Sequence, residues 1–141
     1  MSLGSATVQP MRRMLFAVCL LAGCPSDPPP ACKTVDTACA PGYTPTFTNV
    51  YANTIVPSCG TQNSSCHSER GQAGGLTMHT QPIALQQLQM AGRVKAGDPG
   101  CSEMVVRVDS PGEDYQMPPG DPLSPEERCA IIQWVQQGAM P

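Results

Sequence analysis

The sequence predicts an all-α domain of about four helices, joined by long loops and stapled by disulfides. Three observations carry that expectation. Apolar residues recur at three- and four-residue spacing in several segments, and no alternating run is long enough for a convincing strand. Proline follows Thr, Asp or Ser at the starts of those segments, where a helix tolerates it. Eight cysteines accompany only six aromatic residues: Phe16, Tyr43, Phe47, Tyr51, Tyr115 and Trp134. A core with so few rings needs covalent staples or a large apolar filler. So many cysteines in 141 residues also point to an oxidising compartment.

Charge narrows the partners. Only 13% of residues are charged and the formal net charge is −3, with no basic cluster, so nucleic acid is not an expected partner. There is no nucleophile–base–acid set, and two histidines are too few to build one. Neither enzymatic catalysis nor a small-molecule substrate is expected.

The chain opens with Arg12 and Arg13 ahead of an apolar run from Met14 to Leu21. That run is too short for a mature membrane span and fits the core of a signal peptide. It ends in Leu21-Ala22-Gly23-Cys24, which resembles the bacterial lipoprotein signal, where cleavage precedes a cysteine that is then lipidated. Met11 offers a second possible start, and an ordinary signal peptide with Cys24 as a free or paired thiol is the alternative. The expected division is a signal peptide over residues 1–23, a Pro-rich tether over 24–44 and a helical domain over 45–141. The expected location is the bacterial cell envelope, periplasmic or outer surface, bound to membrane through the lipid on Cys24.

Within the tether, Pro25, Pro28, Pro29, Pro30, Pro41 and Pro45 disfavour helix. Cys32 and Cys39 are expected to close a small local disulfide loop. The first helix is expected from Pro45 to Val56, capped by Thr44, with Phe47, Val50, Tyr51 and Ile55 on one stripe and Pro57 ending it. A second starts near Pro82, with Thr80 or Gln81 as cap, turns Ile83, Leu85 and Leu88 inward, and stops at Gly92. A third starts at Asp98-Pro99 and buries Cys101, Met104, Val105 and Val108. Residues 109–122 read as a long loop carrying Tyr115-Gln116-Met117-Pro118-Pro119-Gly120, and long loops in small domains are often functional. The last helix has the clearest start: Ser124-Pro125-Glu126-Glu127 is a capping box with Pro at the first position. Cys129, Ile131, Ile132, Trp134 and Val135 form its apolar face, and Gly138 is its stop. Cys101 and Cys129, both on apolar stripes near helix starts, are expected to pair.

One stretch carries chemistry. Cys59, followed by Cys66 and at once by His67, closes a short cysteine loop with a histidine. That order suits covalent c-type haem: two thiols add to the two vinyl groups, and the adjacent imidazole meets the iron. The spacing is six residues where two is usual. A plain Cys59–Cys66 disulfide with His67 at the surface is the competing reading. A zinc set of Cys59, Cys66, His67 and His79 is weaker, because zinc competes poorly where thiols oxidise. Gly71-Gln72-Ala73-Gly74-Gly75-Leu76 lacks the Lys of a phosphate loop and the glycine spacing of a dinucleotide site.

Taken in order, these pieces resemble a class I cytochrome c, and more closely the planctomycete-type cytochrome c domain of bacterial envelope proteins. The resemblance runs from about Phe47 to Ala139. It rests on the Phe47–Val56 helix, Cys66-His67, Gly74-Gly75-Leu76, Val94 to Asp98-Pro99, Met117-Pro118-Pro119-Gly120, Leu123-Ser124 to Trp134 and Gly138-Ala139. It implies that the first and last helices cross beside the haem edge. It implies one covalent haem c per chain, with Cys59 and Cys66 at the thioether positions, His67 as proximal iron ligand and Met117 as distal ligand. The function it implies is single-electron transfer with a redox partner protein. The alternative is a haem-free relic of the same fold, disulfide-stapled, acting as a structural or binding module.

Overall fold

The computed structural model describes residues 29–60 and 66–141. The expected signal run and the expected lipidation site, Cys24, lie outside the described residues. Helix α1 (Phe47–Val50) runs without a break through a π turn (Tyr51–Ile55) into α2 (Val56–Ser58). Helix α3 spans Gln81–Met90, α4 Glu103–Val108 and α5 Pro125–Gln136, with short 3-10 turns at Ala73–Gly75 and Pro99–Cys101. Among the described residues there is no strand, so the domain is all-α.

Helix α5 forms where its local signals put it. Ser124 Oγ accepts from Glu127 N at 3.2 Å, while the Glu127 carboxylate accepts from Ser124 N at 3.0 Å. Two amide donors of the first turn are thereby satisfied. Cys129, Ala130, Ile131, Ile132, Trp134 and Val135 are buried along it. The Trp134 ring packs at 5.0 Å, tilted by 35°, against Phe47 of α1, and its indole N–H donates to Met140 O at 2.7 Å. This α1–α5 crossing is the centre of the core, and α4 packs on α5 beside it.

Elsewhere side chains and neighbours override the periodic pattern. The first helix begins at Phe47, not Pro45, because Thr46 is extended and its hydroxyl accepts from Asn49 N at 3.3 Å. It continues past Pro57 to Ser58. Pro57 has no N–H, and its ring crowds the carbonyl four residues back; the widened π turn lies directly upstream of it. Helix α3 turns Ala84 and Leu88 fully inward, whereas Ile83 and Leu85 are half-buried. The expected third helix is split at Ser102. Its buried hydroxyl donates to Asp98 O at 2.8 Å and accepts from Lys95 N at 2.8 Å, competing with the helical backbone bonds.

The disulfides are Cys32–Cys101 and Cys39–Cys129, in place of the expected Cys32–Cys39 and Cys101–Cys129. The segment from Cys32 to Gly42 is therefore a strap on the helices rather than a free tether. It is fastened at both ends. Lys33 N donates to Gly100 O at 2.9 Å, and Gly42 N to Glu126 O at 3.2 Å. A Cβ on Gly100 would lie 2.4 Å from Lys33 O, so the strap's backbone approaches a position that only glycine leaves open. The Lys33 ammonium also bonds Asp109. These cross-connections depend on docked helices, which sequence spacing does not encode.

Candidate functional site

The site is built where α2 ends. Cys59 N and Gly60 N both donate to Ile55 O, at 2.8 and 2.9 Å, and turn the chain away from the helix. A Cβ on Gly60 would sit 2.8 Å from Met78 O, so the residue after Cys59 is pressed against the 76–78 segment. Beyond the undescribed residues 61–65 the chain returns alongside. His67 N donates to Cys59 O at 3.3 Å, Ala73 N to Cys66 O at 2.9 Å and Met78 N to His67 O at 2.7 Å. Cys59 and Cys66 are free thiols, Cys66 exposed and Cys59 partly covered. Burial pushes the Cys59 thiol up to about 12, helped by the nearby Cys66 and Glu127.

His67 is half-buried, with Nδ1 3.2 Å from Leu76 O. A carbonyl only accepts, so Nδ1 carries the proton and Nε2 keeps its lone pair. Burial, and to a lesser degree Arg93, hold this imidazole below the usual histidine range, against the raising effect of its backbone hydrogen bonds. His67 is thus a neutral, oriented donor, the form a metal ligand needs.

Met117 comes from the loop after α4. Its N–H donates to Arg107 O at 3.1 Å, tying the loop to α4. The buried side chain of Gln116 organises the turn: Oε1 accepts from Gly112 N at 2.7 Å, and Nε2 donates to Pro118 O and Gly120 O at 2.8 and 3.2 Å. One side chain thereby satisfies three backbone groups of a loop that has few internal bonds of its own.

These segments line a cavity of about 500 Å³, to which Cys59, Cys66, His67 and Met117 all contribute. Its remaining lining is chiefly apolar, including Leu76, Met78, Leu88, Met104 and Val108. Its size falls in the range of small-molecule and cofactor sites, of order 300–1,000 Å³. All four residues singled out in the sequence thus meet in one cavity. His79 does not join them; its Nδ1 is bonded to Thr77 Oγ1 at 2.8 Å. Among the described residues no three His, Cys, Asp or Glu side chains form a metal-holding group. The zinc set is therefore not assembled there.

Sequence reading missed Gln116 and the charged lining residues Arg93, Glu103 and Arg107. Only the position of Gln116 inside a Gly/Pro-rich loop hinted at a structural role.

A helical domain around an apolar cavity lined by Cys-His and Met is similar to a cytochrome c. Residues 64–121 match the family model described as Planctomycete cytochrome C. That stretch is thus similar to a planctomycete-type cytochrome c domain. The matched stretch includes Cys66, His67 and Met117 and begins after Cys59. No curated protein and no solved structure matches the chain.

Proposed function

We propose that this chain is a lipid-anchored monohaem c-type cytochrome that carries single electrons in the bacterial cell envelope. The observation that supports it is the convergence of Cys59, Cys66, His67 and Met117 on one apolar cavity. The residues fit the group. Two thiols are available for thioether links, and the His67 imidazole has its proton fixed on Nδ1 by Leu76 O. The Met117 thioether is a soft donor suited to the reduced metal. Haem supplies an iron that gains and loses one electron without bond chemistry on a substrate.

The protein's own part is to bind, orient and shield. Leu76, Met78, Leu88 and Val108 exclude water from the cavity interior. Gln116 holds the Met117 turn, so little ordering cost remains when sulfur takes its place. On this reading the chain is not an enzyme. Cys24 bears the lipid, and the partner is another redox protein of the envelope.

A second reading is favoured by the six-residue spacing and the covered Cys59. In it Cys59 and Cys66 oxidise to a disulfide, and the domain is a haem-free module. One experiment separates the two. The full chain is expressed with c-type maturation machinery, and the purified protein is examined for a reduced α-band and for haem that survives denaturing electrophoresis. A coloured, covalently loaded protein is expected. A colourless protein whose peptide map contains a Cys59–Cys66 bridge overturns the cytochrome reading.

A further inference from the structure

Three charged side chains line the apolar cavity: Arg93, Glu103 and Arg107. Two of them neutralise each other. Arg107 Nε lies 2.8 Å from Glu103 Oε1, and its Nη1 donates to Tyr115 O at 3.4 Å. Arg93 is different. Its Nη2 donates to Gly74 O at 2.6 Å, and among the described residues it forms no ion pair. Its backbone is fixed, because Met104 N donates to Arg93 O at 3.0 Å and the neighbouring Val94 is buried. A guanidinium offers five N–H donors in a rigid fork that matches a carboxylate. The cavity therefore presents an apolar body with one uncompensated cation at its wall.

We propose that Arg93 receives the carboxylate edge of the ligand, so that the cavity selects an apolar ring that bears acid groups over the same ring with those groups esterified. This rests on the haem reading of the cavity and adds to it the residue that orients the ring within its plane. Arg107 does not serve, because Glu103 beside it would repel the incoming acid. Arg93 is a positioning residue: it receives the acid groups of the ligand and is not one of the His67 and Met117 donors.

The test uses the full chain purified without haem, with Trp134, the sole tryptophan, as the fluorescent reporter. Ferric protoporphyrin IX and its dimethyl ester are titrated into wild type, Arg93→Gln and Arg93→Lys. Wild type should bind the free acid about tenfold more tightly than the ester, as one charge-assisted contact gives. Arg93→Gln should bring the two within about twofold, leaving ester affinity unchanged, which also reports an intact fold. Arg93→Lys should keep most of the preference. An undiminished preference in Arg93→Gln, or none in wild type, overturns the assignment of Arg93 while the haem reading stands. Failure of wild type to bind either porphyrin overturns both.

Discussion

Replacing Cys39 and Cys129 together by alanine removes one strap fastening and leaves Cys32–Cys101 in place. The loop then opened is not the 90-residue separation between the two cysteines. The shortest covalent path runs seven residues from Cys39 back to Cys32, crosses to Cys101 and continues twenty-eight to Cys129, about 35 in all. Loop-closure entropy for that length gives about 4 kcal/mol. Cys129 is almost wholly buried, so the lost sulfur adds a cavity cost of order 1 kcal/mol. For a domain of this size the resulting loss of about 5 kcal/mol corresponds to a fall of about 20–40 °C in Tm. Urea unfolding of oxidised wild type and the double variant measures the difference directly. A loss below about 1 kcal/mol would refute the strap argument, as would a wild-type peptide map with Cys32 joined to Cys39.

Four further outcomes are expected. In haem-loaded protein, Met117→Ala should abolish the sulfur-to-iron charge-transfer band in the near-red and admit carbon monoxide while covalent haem stays. A variant that keeps the band would eliminate Met117 as ligand. Gly60→Ala should cost about 1–3 kcal/mol in thermal unfolding, since its Cβ meets the backbone oxygen of Met78 at 2.8 Å; an unchanged midpoint would contradict that contact. In the haem-free protein at pH 8, iodoacetamide should modify exposed Cys66 quickly and Cys59 only slowly. The Cys59 pKa of about 12 lies above its ordinary value, so its reactivity should rise only as pH climbs toward that value, and equal labelling at pH 8 would count against its burial. Cys24→Ala should move the protein from the membrane fraction to the soluble fraction without changing its unfolding midpoint, and a variant that stays membrane-bound would end the lipoprotein proposal.

What could be read from the sequence was local. The start of α5 was legible because a capping box is satisfied within four residues. Cys66-His67 and Met117 stood out because a histidine directly after a cysteine and a Met-Pro-Pro-Gly turn each suit a specific chemistry, and the fold brings them to one cavity. Disulfide pairing was not, since proximity along the chain favoured Cys32 with Cys39, and docking against Gly100 and Glu126 decides otherwise. The break at Ser102 was hidden for a related reason: serine inside an apolar stripe reads as a tolerated helix residue until its hydroxyl finds Asp98 O and Lys95 N. Arg93 carried no signal, because a lone arginine between two helices reads as a solvated charge.

The strap also sets how far the domain can stray. If Cys24 is the lipidated residue, the leash ends at Cys32, where the chain is welded to the helices, and not at residue 44. Eight residues span at most about 28 Å when fully extended, against about 70 Å for the longer stretch. Pro29, near the end of that leash, lines the cavity itself. On that condition the part of the cavity wall that Pro29 forms would stay within that reach of the bilayer. A redox partner embedded in the same membrane would be within its arc, and one floating deep in the periplasm would have to come to it.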